Sequence, residues 1–347
     1  MKLRSLDDKD AKILSLLDMQ ADRSVAEVAR AVGASVGSVR YRLQNLRSQG
    51  VIGDWVVFID VYKLGFVEYV MYFSLASENQ KQKDVLLSTL NELPAVSWVS
   101  EHGGEYHYAV SFCVRDVHEL HEILLGISRQ FGNIFFRKSV CARLSCSYFG
   151  RKYLNNGVAP RSPIVIGKSV SVVEPLTIDA MDQRILGAIA RDAYRSTSEL
   201  ARRLAVPVST LERRLASLQE RGIIAGYVLG INGSRFGMSR YRLLISTRGI
   251  SADFHDRLFE LAKRAPYINL FWECLGAWDY ELFVEVPTPE GVTEVMQQLY
   301  DTVGSEIQSI QLLPIFGYTK FRMYPFYENL TEEPTRSLPR QRAVNEV

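Results

Sequence analysis

Between Arg195 and Tyr227 the apolar positions fall three and four apart, twice, across a short break. Leu200, Ala201 and Leu204 make one stripe on a basic background that includes Arg202 and Arg203; Val208, Leu211, Leu215 and Leu218 make the second. Such spacing predicts two amphipathic helices, each burying one face. The break is Ala205-Val206-Pro207, and proline, with its fixed φ and missing N–H, suits the start of a helix. Ser209, Thr210, Glu212, Arg213 and Arg214 are left on the outer surface towards the N-terminal end of the second helix. Short polar side chains there permit close approach to a DNA major groove, and arginine can grip a guanine edge or a phosphate. The pattern predicts a helix-turn-helix. A plain helical hairpin would show the same periodicity, so repetition has to carry the argument.

The pattern does repeat. Asp7, Asp10, Ile13, Leu14, Ser24, Glu27, Ala29 and Arg30 return as Asp179, Asp182, Ile185, Leu186, Ser196, Glu199, Ala201 and Arg202, each pair 172 positions apart. The same offset carries Arg42, Leu43, Leu46, Gly50 and Ile52 onto Arg214, Leu215, Leu218, Gly222 and Ile224, and still holds at Gly104 and Gly276. One offset sustained over such a stretch marks a tandem duplication without internal insertion.

Within the first copy, Leu6 to Asp18, Val25 to Val32 and Ser35 to Gln49 read as helices, with Ser35 as the N-cap of the third. Val51 to Ile59 turns β-branched and aromatic, a strand leading out of the helical unit. Strand Tyr69–Leu75, helix Lys81–Leu93, strands Val96–Glu101 and Tyr106–Val114, helix Val117–Arg129 and strand Phe135–Ser147 follow. The second copy repeats them: Arg240–Thr247, Asp253–Arg264, Ile268–Cys274, Trp278–Val286, Pro289–Val303 and Ile307–Phe316. The order β-α-β-β-α-β is the ferredoxin-like arrangement. The fold class is therefore α+β: two copies of a winged-helix-like helix-turn-helix, each followed by a ferredoxin-like domain. The divisions fall at 1–60, 61–152, a linker over 153–175 with an apolar patch at Ile164–Ile166 able to dock, 176–232, 233–327, and a charged, proline-containing tail over 328–347 that reads as disordered.

Composition adds constraints. A net charge of +2 over 347 residues leaves no polybasic tail, so nucleic-acid binding must come from a local patch. No apolar run approaches the roughly 20 residues that span a bilayer. The four cysteines, Cys113, Cys141, Cys146 and Cys274, form no close CxxC pair, which points to reduced thiols in the cytoplasm and to no metal site. No nucleophile–base set or phosphate-cradling glycine loop stands out, so catalytic residues, cofactors and membrane partners are not expected.

The opening Leu6-Asp7-Asp8-Lys9-Asp10-Ala11-Lys12-Ile13-Leu14, the helix region Leu204 to Arg214, the exit Gly222-Ile223-Ile224-Ala225-Gly226-Tyr227 and the turn Gly276-Ala277-Trp278-Asp279 resemble those of the Lrp/AsnC (feast/famine) transcription regulators. The resemblance covers nearly all of both halves. Family members carry one copy per chain and pair as dimers, so it implies an intrachain pseudo-dimer whose two plaits pack through their sheets, assembling further into a homo-oligomer. It implies double-stranded DNA as one partner and a small effector, such as an amino acid, as another. Siroheme decarboxylases resemble the same fold, but their histidine-rich segment after the exit strand has no counterpart in Ile59 to Phe66 or Ile231 to Met238.

On this reading Ser38, Arg40, Tyr41 and Arg42 face DNA from the first unit, and Ser209, Thr210, Arg213 and Arg214 from the second. The bland alternative is a set of solvated side chains. Tyr41 stands opposite Arg213 and Arg40 opposite Glu212, so the two readers differ, and an asymmetric operator is expected. Gly276 and Asp279, with Gly104 and His107 in the first copy, are the expected effector contacts; the alternative is a hairpin whose glycine supplies positive φ. His102 and His107 near Glu101 and Glu105 read as polar strand residues rather than a metal site. Trp98, Trp272 and Trp278 read as sheet and interface aromatics.

Overall fold

The computed structural model describes residues 6–76, 80–158, 161–167, 174–191, 196–249, 251–322 and 324–326. The first helical unit comprises α1 (Asp8–Asp18), α2 (Val25–Val32) and α3 (Val36–Ser48). Each start is fixed by a side-chain acceptor. Asp7 takes the Asp10 N–H at 2.7 Å, Ser24 and Glu27 form a reciprocal capping box, and Ser35 takes the Ser38 N–H at 3.1 Å. Strand β1 (Ile52–Ile59) leads out.

The first plait follows as β2 (Val67–Leu75), α4 (Gln80–Glu92), β3 (Val96–His102), β4 (Tyr108–Val114), α5 (Val117–Phe131) and β5 (Phe135–Tyr148). After a short strand β6 (Ile164–Ile166), the second helical unit comprises α6 (Ala180–Arg191), α7 (Thr197–Leu204) and α8 (Val208–Glu220), with exit strand β7 (Ile224–Ile231). Pro207 sits one residue before α8 rather than in its first turn. The second plait is β8 (Ser239–Thr247), α9 (Ala252–Arg264), β9 (Ile268–Gly276), β10 (Tyr280–Val286), α10 (Gly291–Val303) and β11 (Ile307–Phe321).

The two plaits close one antiparallel barrel in the order β2-β4-β3-β11-β8-β10-β9-β5, with β5 returning to β2. Closure works by exchange. The first part of β5 pairs with β2 of its own plait, and its later part, from Cys141 to Tyr148, pairs with β9 of the other. Likewise β11 pairs with β8 and then, from Ile315 to Phe321, with β3. This is why β11 outruns the expected end at Phe316: its last residues find partners only in the assembled barrel. Closure also removes the edges that an open sheet would expose.

Alternation along the strands separates two faces. Leu243, Ile245, Phe271, Leu282 and Val284 pack under α9 and α10, and Met71, Phe73, Val110 and Phe112 under α4 and α5. Val70, Tyr72, Leu244, Trp272, Cys274 and Phe283 point the other way, into the barrel.

The helical units are joined by a two-stranded ribbon, β1 against β7, with Val56 opposite Val228. The segment expected to be a bare linker is partly ordered: Lys152–Asn155 forms a 3₁₀ turn and β6 pairs with β5. Just before it Arg151 donates to Asp18 at the end of α1, to Glu285 of β10 and to the Ile231 carbonyl of β7. Lys152 Nζ is bound by the Ala262 and Ile268 carbonyls. The expected tail over 328–347 lies outside the described residues.

Candidate nucleic-acid interface

On α3 the core-facing residues Val39 and Leu46 leave Ser38, Arg40 and Tyr41 in solvent, and Tyr41, at 70% exposure, is an open aromatic beside a free-standing arginine. On α8, burial of Leu211, Leu215 and Leu218 leaves Ser209 and Arg213 exposed and Thr210 half-exposed. Val208, expected in the core, is 38% exposed, because it lies in the first turn, ahead of the stripe that reaches α7. Neither helix has an acidic residue in its first turn, which leaves the partial positive charge of its N-terminus unopposed.

Arg42 and Arg214 differ from that exposed set. Arg42 Nη1 donates to Asp7 at 2.6 Å and to Asp10 at 2.8 Å; Arg214 Nη1 donates to Asp179 and to Asp182 at 2.8 and 2.7 Å. The carboxylates at the start of α1 and α6 thus tie each guanidinium group to its own helical unit through Nη1, while both side chains keep 25% exposure. The hydrogen bond from Arg42 also holds the Asp7 carboxyl below its usual range. The clue was available in the sequence, since both aspartates and the arginine recur together at one offset.

A second pair went unnoticed in the sequence. Lys63, in the 3₁₀ turn after β1, donates to the Arg221 and Gly222 carbonyls just beyond α8, each at 3.3 Å. Its counterpart Arg235 approaches Gly50, just beyond α3, where an added Cβ would meet Nε at 3.4 Å. Each half thus places a cation at the C-terminal end of the other half's reading helix, where the helix dipole favours it.

The turns expected to meet an effector lie at the barrel's rim. Gly104 has φ +93° and Gly276 +142°, and a Cβ on Gly276 would press on the Val140 carbonyl at 2.9 Å. Here glycine is required by the backbone. His107 is exposed. Asp279 is half-exposed: its Oδ2 accepts from the Thr247 N–H at 2.6 Å and hydroxyl at 2.8 Å, which ties the turn to β8. His102 is buried, and burial together with the nearby Arg242 charge pushes its pKa down to about 3, so it stays neutral. Among the described residues no group of three or more His, Cys, Asp or Glu could hold a metal.

The barrel interior holds a ladder of alternating rings and guanidinium groups, Trp98–Arg143–Trp272–Arg242–Phe283, with spacings of 5.0, 4.4, 4.4 and 5.4 Å. Arg143 Nη1 donates to Glu68 at 3.0 Å and Nε to Glu281 at 3.0 Å. Trp98 and Trp272 are thus interface aromatics of a specific kind: they sandwich a buried cation.

Residues 6–47 match the AsnC-type helix-turn-helix domain, and residues 178–225 match a winged helix-turn-helix DNA-binding domain. The chain is 30% identical over 118 residues to the glutamate uptake regulatory protein of Zymomonas mobilis, covering 34% of this chain and 72% of that protein. It is 27% identical over 134 residues to the transcriptional regulator LrpA of Pyrococcus horikoshii, covering 38% of this chain and 88% of that one. Over its whole length the fold is similar to a crystal structure of the siroheme decarboxylase NirDL, with a TM-score of 0.59 and 13% identity over 93% of this chain and 95% of that one. At that identity the likeness shows the fold alone. The helix-turn-helix matches in both halves, and the regulators of which the chain covers 72% and 88%, place it in a family: this protein belongs to the Lrp/AsnC helix-turn-helix transcription regulators.

Proposed function

We propose that one chain acts as a complete two-headed regulator, reading duplex DNA with two unlike helices and responding to an amino acid or another small metabolite. The observation that carries this is the β1–β7 ribbon, which ties the two reading units together within one polypeptide. Ser38, Arg40 and Tyr41 form one reading surface; Ser209, Thr210 and Arg213 form the other. Such side chains divide between phosphates, which fix register, and base edges, which specify sequence. Since Tyr41 and Arg213 occupy the same position of the repeat, the half-sites are expected to differ in sequence. Arg42 and Arg214 act by holding the helices in place.

The effector would meet the rim turns, where backbone at Gly104 and Gly276 is open and His107 is exposed. Asp279 supports the turn. Binding there would favour one arrangement of the assembled chains over another, which is how a small ligand changes DNA occupancy at a distance. Assembly of chains into a larger homo-oligomer belongs to the same proposal. So does a place in the cytoplasm: among the described residues no helix is long and apolar enough to cross a membrane.

The test is selection of bound sequences from randomised duplex DNA by the intact protein, repeated with Arg40→Ala and with Arg213→Ala and in the presence of each amino acid. An enriched asymmetric motif that loses one half-site with each variant supports the reading. Absence of any enriched motif, with binding of an iron tetrapyrrole instead, would replace it with an enzyme of the decarboxylase type.

A further inference from the structure

The duplication supplies an internal control for the barrel interior, because every inward position occurs twice. At one end of the barrel Tyr72, His102, Arg242, Trp278 and Glu281 are all at least nine-tenths buried. Their counterparts 172 positions away are Leu244, Cys274, Val70, Tyr106 and Ala109. The fold fills the equivalent volume with mostly apolar side chains, so nothing in the barrel's architecture demands the polar set.

That set is poorly satisfied by the protein itself. Six atoms of these five side chains have no hydrogen-bond partner: Tyr72 Oη, His102 Nδ1, Arg242 Nε and Nη1, Trp278 Nε1 and Glu281 Oε1. Buried polar groups are nearly always paired, and leaving one unpaired costs more than its hydrogen bond would have contributed. The atoms also lie together. The Tyr72 ring is 5.3 Å from that of His102 and 5.3 Å from that of Trp278, and the charges of Arg242 and Glu281 act on its hydroxyl.

Charge decides what would satisfy them. Arg143 engages Glu281 Oε2 through Nε and again through Nη2, and it also holds Glu68. Arg242, only 2% exposed, has no carboxylate within ion-pair distance among the described residues; its polar contact there is Nη2 to the Tyr318 hydroxyl at 3.4 Å, and its faces lie against Trp272 and Phe283. Glu281 also acts on Arg242 through its charge, so the two arginines balance Glu68 and Glu281 overall. The Nε and Nη1 protons of Arg242 still stay buried without an acceptor, which an anion beside them would supply. Tyr72 Oη–H and Trp278 Nε1–H add two donors. When Ser100, 2.7 Å from His102 Nε2, donates to that nitrogen, the ring proton sits on Nδ1 and adds a third, for which the Pro314 carbonyl is the competing acceptor. Glu281 Oε1 is the one dedicated acceptor of the set, and its charge restricts the occupant to a single negative charge.

We infer that Arg242, Tyr72, His102 and Trp278 form a buried binding site for a small singly charged anion, either a halide or the carboxylate of a small molecule. The site lies inside the barrel, beneath the rim turn that carries Trp278, and does not rest on the DNA-binding proposal. An anion here would join side chains contributed by β2, β3, β8 and the β9–β10 turn, so its binding stiffens the junction of the two plaits.

The test uses the intact chain in a chloride-free buffer at fixed pH, with ionic strength held by sodium sulfate, whose double charge the site excludes. Sodium bromide and sodium acetate are titrated separately while the thermal unfolding midpoint is followed. The expected result is a saturable rise with at least one of them. Half-saturation should move to roughly tenfold higher concentration in Tyr72→Phe, which removes one charge-assisted hydrogen bond. The saturable rise should vanish in Arg242→Val, which installs the residue of the other copy. Saturation by bromide, with an anomalous diffraction peak beside Arg242 in bromide-soaked crystals, assigns the site to inorganic anions; saturation by acetate alone assigns it to carboxylates. The inference is overturned if neither salt gives a saturable rise, or if folded Tyr72→Phe and Arg242→Val proteins respond as the parent does.

Discussion

Arg42 donates to Asp10 at 2.8 Å, and the Asp10 side chain has no exposed surface. The same ion pair recurs between Arg214 and Asp182 at 2.7 Å, there with the carboxylate 13% exposed. Arg42→Ala should therefore lower the stability of the first helical unit, by about 1–3 kcal/mol, because a buried carboxylate loses its charged donor. Arg40→Ala and Tyr41→Ala should weaken DNA binding and leave thermal unfolding unchanged. Paired melting curves and DNA titrations of the three variants check this. Equal melting temperatures for all three, with Arg42→Ala the most defective on DNA, would mark Arg42 as a contact residue.

Ala205 offers a sharper backbone test. It caps α7 with φ +55°, a left-handed conformation that Cβ disfavours, whereas the equivalent residue of the first copy is Gly33 at φ +65°. Ala205→Gly should stabilise the second unit by roughly 0.5–1 kcal/mol, since relief of the Cβ clash outweighs the added freedom of the unfolded chain. Urea unfolding of parent and variant measures it. A destabilised variant would contradict the assignment.

The barrel ladder predicts strong non-additivity. Glu281→Ala leaves Arg143 buried beside Glu68 alone and should cost about 3–5 kcal/mol. Arg143→Ile together with Glu281→Ala places the other copy's residues at both positions and should recover part of that loss. The coupling is read from a double-mutant cycle. Additive effects would mean that the two charges do not sense each other.

Lys152 sets a pH dependence. Burial pushes its amine down to about 7, against 10.5 in the unfolded chain, while the charge of Asp18 opposes the shift. Between those values the unfolded chain binds a proton that the folded one does not, so stability rises with pH above 7 and is insensitive to this group below it. The slope is at most about 1.4 kcal/mol per pH unit. Lys320, whose amine burial lowers to about 8, adds a smaller part over the interval from 7 to 8. Chemical unfolding at pH 7 and pH 8 should differ in the parent, and the difference should shrink in Lys152→Met.

The sequence carried the local architecture well. Helices and strands announced themselves through periodicity, and caps such as Ser35 through side-chain chemistry, because both signals are short-range. The duplication was legible for the same reason: one offset links Asp7, Asp10 and Arg42 to Asp179, Asp182 and Arg214. What the offset did not say was that each arginine is bound to its own aspartates, since a contact across 32 or 35 residues leaves no periodic trace. The exchange of β5 and β11 between plaits was likewise invisible beyond the expectation of packed sheets. The inner strand face reads as ordinary alternation whether a guanidinium or an isoleucine fills it, so Arg143 and Arg242 passed unremarked. Lys63 and Arg235 stood in view as a matched basic pair, yet their targets lie in the opposite half.

The ribbon between Val56 and Val228 has a consequence for dosage. Where two separate chains must meet before they can grip an operator, occupancy at low abundance climbs as the square of concentration, because pairing comes first. On the proposed reading the partner is covalently present, so loading would follow the number of molecules in direct proportion, and a cell that holds only a handful of them would still hold only paired readers.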